Sequence, residues 1–265
     1  MSWQTELLRS TTFHIKTGWI IKGLSNSPLL LEIALGKEEK MGLPENQWVS
    51  LTAKYPKGPK NKITDVPGVT VGHVTIEDGK KDVHTGVTAI LPHQGNLFKD
   101  KVAAGTAVIN GFGKSAGLVQ IQELGTIESP IVMTNTFSVG TAVTASVKYM
   151  LEQNEDIGVS TGTVNCVVTE CNDGELNDIR GMHVTEEHVL EALRNTGEDF
   201  EEGAVGSGTG MCCMGLKGGI GSASRIVDVS GKKYTIGAIL MSNFGVLGNL
   251  RIDGKKIHTP VEKIA

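Results

Sequence analysis

A glycine-rich block from Val205 to Arg225 constrains the fold of this chain more than any other feature. Small residues crowd there around a single short apolar run, Met-Cys-Cys-Met-Gly-Leu at positions 211–216. Glycine permits positive φ angles and lets the backbone approach another chain or a ligand closely, at a cost in conformational entropy. Such a density of glycine is typical of a functional site.

The start of the block, Gly206-Ser-Gly-Thr-Gly210, does not fit the familiar glycine motifs. A dinucleotide-binding fingerprint needs a strand before it and a helix after it, whereas an acidic segment precedes this one and a β-like run follows. A P-loop would end in Gly-Lys-Ser or Gly-Lys-Thr, and a hydrolase elbow would have serine at its centre, but Ser207 stands off centre. Nucleotide binding and serine catalysis within this chain are therefore disfavoured.

Charge and hydropathy favour a small substrate. The 265 residues carry a net charge of −4 without a dense Lys/Arg cluster, which argues against nucleic acid or an anionic membrane as the main partner. No segment approaches the roughly 20 apolar residues of a membrane span, and residues 18–35 are interrupted by charges and a proline. The four cysteines form neither a zinc knuckle nor a secreted disulfide framework, so buried free thiols in a reducing, cytoplasmic compartment are expected.

The histidines and acidic residues show no metal-binding pattern. His183 and His188 fall across a loop-to-helix junction, so they do not share a helix face as a two-histidine metal pair would. Asp173, Glu175 and Asp178 lack the spacing of a calcium loop, and Asn-Asp-Gly is also ordinary turn chemistry. We predict that no metal is bound.

The chain divides at about residue 42. Residues 1–41 are patterned differently from the rest, and an upstream start, a cloning remnant and an added helix all remain open for them. Residues 42–265 contain short β-branched runs cut by glycine, which are typical of strands bounded by turns. The predicted strands are 68–76, 86–91, 103–109, 131–135, 163–169, 209–216, 223–229 and 234–241.

Three helices are predicted. One spans 185–197, with a capping threonine and acids in its first turn and a terminal glycine, and another covers 114–122. The third spans 139–153, whose apolar residues recur on one face at helical spacing: Val139, Val143, Val147, Met150 and Leu151. Many strands with a few intervening helices indicate an α+β fold of stacked sheets covered by helices.

Four segments, taken together, closely resemble one family. They are Ile63 to His73, Gly86 to Pro92, Asn172 to Ile179 and the 205–225 block. In order and approximate spacing they are similar to the L-aminopeptidase/D-amidase-esterase family, which includes the β-peptidyl aminopeptidases. The similarity runs from about Gly42 to about Gly254 and so covers nearly all of the patterned chain.

This resemblance implies a precursor that cuts itself into a large α-chain and a small β-chain, whose new N-terminal serine is the nucleophile. It implies a four-layer αββα sandwich, a fold shared with ornithine acetyltransferases, of which residues 42–265 form the α-portion. Acyl transfer through a serine ester needs neither a metal nor an organic cofactor. The expected partners are the β-chain of the same precursor, a small peptide or amide substrate, and further αβ units in a homo-oligomer.

The resemblance also implies catalytic residues. Asn243, after the predicted strand 234–241, matches the family's oxyanion-hole asparagine, and its side-chain amide supplies the N–H donor that this role requires. Asn172 stands where the family has a tyrosine as second donor. An amide has a shorter reach and a lower acidity than a phenol, so this departure affects the rate and the substrate preference.

Substrate-binding residues follow from the same resemblance. Glu170 matches an acidic position suited to a substrate ammonium, which would explain an aminopeptidase preference. Gly206, Gly208 and Gly210 match the family's glycine-rich segment near the nucleophile, where backbone N–H groups surround the substrate. Lys217 and Arg225 either hold the terminus of the β-chain or solvate strand ends, and the second interpretation is favoured.

The resemblance stops at the C-terminus. The family has a Gly-Ser cleavage junction and then an Ile/Val-rich strand, after a linker that would begin near Gly254, whereas this chain ends at Ala265 without that serine. A processed α-chain, a truncated reading frame and a non-catalytic remnant that binds a small molecule remain open, and an incomplete sequence is expected. An acyltransferase of the ornithine acetyltransferase type is a further alternative. Sheet edges left open by the absent strands would make the β-chain necessary for stable folding.

Overall fold

The computed structural model describes residues 55–249, 251–252 and 255–256. The predictions for residues 1–41 and for the division near residue 42 lie outside these ranges. In chain order the strands are β1 (Thr70–Asp78), β2 (Val83–Leu91), β3 (Val102–Ala103), β4 (Thr126–Ile127), β5 (Ile131–Asn135), β6 (Val167–Cys171), β7 (Cys212–Cys213), β8 (Leu216–Lys217), β9 (Ile220–Val229), β10 (Lys232–Met241), β11 (Arg251–Ile252) and β12 (Lys255–Lys256).

Three α-helices and five short 3-10 helices accompany these strands in the described residues. The α-helices are α1 (Leu118–Leu124), α2 (Val139–Gln153) and α3 (Glu186–Arg194). The 3-10 helices are Ile63–Asp65, Thr136–Ser138, Ile179–Gly181, Gly206–Gly208 and Leu247–Asn249. None of the described helices combines the length and the apolar character that crossing a bilayer requires.

A four-stranded sheet in the order β1-β2-β5-β6 organises the molecule. The β1/β2 and β2/β5 pairs are antiparallel, whereas β5 and β6 are parallel and are connected through helix α2. The carboxyl ends of parallel strands lie at the same edge of a sheet. Asn135 at the end of β5 is therefore in register with Cys171 at the end of β6.

Each face of this sheet packs on a different layer, because side chains alternate along a strand. On one face Val87, Val132 and Val168 form a core with helices α2 and α3. On the other face Ile90 and Met133 belong to the core that contains Ile220 and Met241 of the two-stranded sheet β9–β10. The described residues thus form three layers, one of helices and two of strands.

The structure confirms the mixed α/β class with stacked sheets. Several predicted elements also agree with it: β5 and α2 have the predicted bounds, and Thr185 occupies the N-cap of α3. A second helical layer is not among the described residues, so the four-layer αββα sandwich stays a prediction.

Two predicted strands are wrong over most of their length. Of 103–109 only Ala103 lies in a strand, while Val108 and Ile109 expose 62% and 57% of their surface. Of 209–216 only the two-residue strand β7 and the first residue of β8 remain, since Met214 and Gly215 adopt positive φ angles of 56° and 74° and reverse the chain. A β-branched or apolar run becomes a strand only where a partner strand and a packing surface exist.

Three further elements differ from the prediction in their first residue or in their buried face. Strand β6 begins at Val167 and helix α1 at Leu118, both later than predicted. The buried face of α2 consists of Ala142, Ala145, Ser146 and Met150, whereas the predicted face member Leu151 is 42% exposed. Small side chains let the helix axis approach the sheet closely. Close packing, more than the hydrophobicity of single residues, therefore decides which face of α2 is buried.

Candidate active site

The structure brings Asn172 and Asn243 together at the ends of two strands. Asn172 follows β6, and Asn243 comes two residues after the end of β10. The Sγ atom of Cys171 lies 3.5 Å from the backbone oxygen of Met241, and the Asn243 side-chain Nδ2 donates to the backbone oxygen of Asn172 at 3.0 Å. Two residues that are 71 positions apart in the sequence are thereby joined by a hydrogen bond.

The contact with Asn172 defines the orientation of the Asn243 amide. Rotating this amide by 180° would place its oxygen against the backbone oxygen of Asn172, and two acceptors repel. One of the two Nδ2 hydrogens is used in the contact, and an amide nitrogen carries a second. The Oδ1 atom is buried and makes no hydrogen bond within the described part of the chain. Asn243 is thus held so that one N–H donor remains for another acceptor.

The Asn172 side chain is exposed and is fixed by a local turn. Its Oδ1 atom accepts from the backbone N–H of Gly174 at 2.8 Å. This Asx turn occupies the acceptor end of the amide and leaves the Nδ2 donor end for other contacts. The predicted second donor therefore has the hydrogen-bonding polarity that an oxyanion contact requires.

Glu170 lies in β6, two residues before Asn172, and is only 3% exposed. Its Oε1 atom accepts from the backbone N–H of Lys114 at 3.0 Å, and its Oε2 atom accepts from the hydroxyl of Thr136. A carboxylate has lone pairs for about four hydrogen bonds, so capacity remains for an ammonium. Charge pairing is stronger in such a buried position than at a solvated surface.

The glycines of the 205–225 block let a loop lie directly against strands β1 and β2. A Cβ atom on Gly206 would stand 2.6 Å from His73 Nδ1, and one on Gly210 would stand 2.1 Å from the backbone oxygen of His84. Gly208 is similarly confined, with the Ile220 nitrogen 2.6 Å from its Cβ position. This packing within the chain accounts for the three glycines. Their contact with a substrate stays a prediction, although the Gly210 Cβ position is also only 3.0 Å from Asp173 Cβ.

A buried hydrogen-bond network that the sequence motifs did not reveal ties the same loop to the sheet. The Thr88 hydroxyl oxygen accepts from the backbone N–H of Ser207 at 3.1 Å and from the Ser207 hydroxyl at 2.9 Å. Its own proton therefore goes to His73 Nδ1 at 2.9 Å, and the other ring nitrogen donates to the Glu201 oxygen at 3.1 Å. These partners define a neutral His73 protonated on Nε2.

Burial lowers the pKa of His73 to about 4 from 6.5; the hydrogen bond to Glu201 opposes the shift and the charge of Lys62 adds to it. In the unfolded chain His73 binds a proton more tightly than in the folded protein. The contribution of neutral His73 to the free energy of unfolding is therefore fully present above pH 6.5 and decreases as the pH falls toward 4. We expect a loss of about 3 kcal/mol across this window, measured by urea unfolding. His73→Asn should make stability less dependent on pH, and an unchanged pH dependence in this variant would contradict the assignment.

Other predicted residues have structural roles. The Lys217 ammonium donates to the backbone oxygens of Gly208, Met211 and Gly218 at 2.8–3.1 Å. Arg225 is buried and donates through NH1 to Asn61 Oδ1 at 2.9 Å. Lys217 ends strand β8 and binds the chain's own backbone. The favoured interpretation was wrong for Arg225, which lies buried in the middle of β9 and so does not solvate a strand end.

The acidic cluster is divided by the fold. Asp173 is 1% exposed, whereas Glu175 and Asp178 line an open cleft of about 710 Å³ together with Glu77 and Asp82. Within the described ranges no three His, Cys, Asp or Glu residues are grouped as a metal site would require. None of the four cysteines, which all lie in the described residues, forms a disulfide; three are buried and Cys212 is half-buried.

Comparison with known proteins identifies the family of this chain. Residues 61–264 match peptidase family S58. The chain belongs to this family, and the resemblance found in its motifs is confirmed. The match also favours the peptidase interpretation over the acyltransferase alternative.

Individual relatives agree with the family match. The chain is 41% identical over 208 residues to the beta-peptidyl aminopeptidase BapA of Sphingosinicella microcystinivorans, covering 76% of this chain and 51% of that protein. It is 56% identical to the PH0078 protein from Pyrococcus horikoshii OT3, with a TM-score of 0.76 over 83% of this chain and 62% of the other. The L-aminopeptidase D-Ala-esterase/amidase of Ochrobactrum anthropi is 38% identical, with a TM-score of 0.70 over 80% of this chain and 61% of the other.

The Ochrobactrum structure is described as a prototype of the serine aminopeptidases and as a new variant of the Ntn hydrolase fold. The layers described above therefore belong to an Ntn-hydrolase-like architecture. The chain spans 51% to 62% of the length of these relatives.

Proposed function

We propose that this chain is the α-portion of a self-processing serine aminopeptidase or amidase, which releases N-terminal residues from short peptides, amides or esters. The observation that carries the proposal is the 3.0 Å contact from Asn243 Nδ2 to the Asn172 backbone oxygen. It holds the Asn243 side-chain amide against the backbone of Asn172, with Glu170 two residues before Asn172 in the chain, in a member of a peptidase family.

The reaction begins with an N-terminal serine that self-cleavage creates on the β-chain. The α-amine of this serine takes the hydroxyl proton, and the oxygen attacks the acyl carbon of the substrate. Negative charge then develops on the carbonyl oxygen, where the amides of Asn243 and Asn172 donate hydrogen bonds. The amine or alcohol leaves with a proton, and water hydrolyses the serine ester. No metal or organic cofactor takes part.

Glu170 selects substrates that carry a free N-terminal ammonium, because its buried carboxylate forms an ion pair with that group. The loop that contains Gly206, Gly208 and Gly210 forms a wall of the same site. The Asn172 side chain is shorter than the tyrosine that the family has at this position. This enzyme therefore relies more on Asn243 for oxyanion stabilisation.

The β-chain completes the second sheet. Among the described strands β9 and β10 pair only with each other, apart from a single bridge between Ile220 and Gly203, and positions 235–239 on β10 are half-buried. Added strands and a covering helical layer would bury this surface and produce the four-layer αββα sandwich. The complete αβ units form a cytoplasmic homo-oligomer.

Self-processing is tested on the full-length precursor. We expect two bands on a denaturing gel, serine at the N-terminus of the smaller one, and loss of both cleavage and activity when that serine is replaced by alanine. A fully active uncleaved precursor would contradict the mechanism. A protein that neither cleaves itself nor hydrolyses aminoacyl p-nitroanilides would favour the binding-protein alternative.

The role of Glu170 is tested with matched substrates. Glu170→Gln should lower kcat/KM for an aminoacyl p-nitroanilide by about 10- to 100-fold, because a hydrogen bond to a charged group contributes about 1.5–3 kcal/mol. The N-acetylated substrate should be a poor substrate for both proteins.

The matched control for this test is Glu128→Gln. Glu128 is also buried, at 5% exposure, but it pairs with Lys101 and accepts from the backbone N–H of Asn165 before β6 starts. This control should retain its preference for a free amine. If the parent and Glu170→Gln proteins prefer the free-amine substrate over the N-acetylated one to the same degree, Glu170 does not bind the substrate ammonium.

A further inference from the structure

Asp173 is a buried carboxyl group next to the site that the reaction described above does not use. It is 1% exposed, accepts from the Thr85 hydroxyl at 2.6 Å through Oδ2, and accepts from Asn177 Nδ2 at 3.1 Å through Oδ1. Burial raises its pKa, while these hydrogen bonds act in the opposite direction. A buried carboxyl group is costly unless it is well bonded, so its position next to Asn172 calls for a physical reason.

The hydrogen bonds that lead to Asp173 have a single possible direction. The backbone N–H of Ser138 donates to Asn135 Oδ1 at 3.0 Å, so the Nδ2 end of Asn135 faces Thr85 and donates to its hydroxyl oxygen at 2.9 Å. The single hydroxyl proton of Thr85 is therefore available for Asp173. Thr85 and Asn135 are each 1% exposed, like Asp173. The chain of bonds connects the start of α2 to the loop after β6.

This chain of bonds ends one peptide bond from the Asn172 carbonyl. The carbonyl carbon of Asn172 is bonded to the nitrogen of Asp173, so holding Asp173 restricts the rotation of that peptide group. The backbone N–H groups of Leu176 and Asn177 close the loop further, because they donate to the backbone oxygen of Asp173 at 3.1 and 3.0 Å. The acceptor that orients the Asn243 amide is thus bonded directly to a residue that buried hydrogen bonds hold in place.

We propose that Thr85 is a positioning residue for the reaction, acting through Asp173 and the Asn172 carbonyl to aim the Asn243 amide at the oxyanion. This inference rests on the proposed function, because it assumes that Asn243 is an oxyanion donor. Misplacing a catalytic group by about 1 Å can cost on the order of 100-fold in rate. Without the Thr85 hydroxyl, Asp173 has one hydrogen-bond donor fewer. The loop after β6 can then shift by a distance of about 1 Å.

Thr85→Val in the complete, processed enzyme is the principal test. Valine has nearly the shape of threonine but no hydroxyl, so we expect kcat to fall roughly 10- to 100-fold with KM changed by less than about threefold. Thr85→Ser keeps the hydroxyl and should restore most of kcat. If the valine variant does not fold, Thr85→Ala replaces it, and the same fall in kcat is expected because alanine also lacks the hydroxyl donor.

Thr70→Val is the matched control. Thr70 is also a buried threonine, at 8% exposure, and its hydroxyl accepts from Gln94 Nε2 at 2.9 Å at the start of β1. It is not part of the Asn135–Thr85–Asp173 chain of bonds. Loss of the Thr70 hydroxyl should lower the melting temperature but leave kcat within about threefold of the parent value.

A double-mutant cycle separates positioning from general destabilisation. In an Asn243→Ala background Thr85→Val should lower kcat by less than about twofold, because residues that act through one group are not additive. An unchanged kcat in Thr85→Val, or a full additional loss in the double variant, would overturn the positioning role. If Asn243→Ala alone leaves kcat unchanged, the proposed oxyanion role itself fails, whatever Thr85 does.

Discussion

Asn243→Ala is expected to lower kcat by roughly 10²- to 10³-fold, with little change in KM, as measured by the initial rate of aminoacyl p-nitroanilide hydrolysis. The physical reason is that the Asn243 amide, already oriented by the Asn172 carbonyl at 3.0 Å, donates to charge that exists only in the transition state. A ground-state carbonyl gains much less from the same donor, so the loss falls on kcat.

Two further variants make this prediction specific. Asn172→Ala removes only a side chain and keeps the backbone carbonyl that orients Asn243, so its effect should be smaller than that of Asn243→Ala. Asn195→Ala changes an exposed asparagine at the C-cap of α3, in the helical layer, and should leave kcat at the parent value. A kcat for Asn243→Ala within a few-fold of the parent would show that Asn243 only terminates its strand.

Gly210→Ala is expected to destabilise the folded protein by about 3 kcal/mol, as measured by urea unfolding. The added Cβ atom would lie 2.1 Å from the backbone oxygen of His84 and 3.0 Å from Asp173 Cβ. The first of these contacts is with backbone of strand β2, which cannot move without disturbing its pairing with β1. The second contact would push the Asn172–Asp173 loop away, so kcat should fall as well.

Gly140→Ala provides the opposite control. Gly140 lies in helix α2, is exposed, and has open space around its Cβ position. Alanine there should stabilise the protein by about 0.5–1 kcal/mol, because it loses less backbone entropy on folding than glycine. A Gly210→Ala protein as stable as the parent would mean that the loop does not pack on β2 as closely as described.

The elements predicted well are those in which local pattern and tertiary packing agree. Helix α2 has the predicted bounds, and the capping threonine of α3 was placed at the correct residue. The predicted strand at 103–109 failed because Val108 and Ile109 have strand-forming side chains but lie exposed, without a sheet against which to pack. The predicted strand at 209–216 failed because a turn at Met214 and Gly215 interrupts it.

The site followed a similar rule. Motif resemblance predicted Glu170, Asn172 and Asn243 as site residues, and the structure places the two asparagines in direct contact. Thr85 and Asn135 carried no such signal, because an isolated threonine in a strand and an isolated asparagine at a strand end are common. Their importance depends on hydrogen bonds between residues 50 and 88 positions apart in the chain.

The sequence by itself determined the family and the mixed α/β class, since these follow from ordered motifs and local periodicity. Only the tertiary structure decided what the glycine block does and how the asparagines are aimed. Gly206, Gly208 and Gly210 are required because atoms of neighbouring strands and loops occupy the space in which a Cβ atom would stand. The Asn243 amide has one orientation because the fold places a carbonyl oxygen beside it, and such distances are set by packing between segments far apart in the chain.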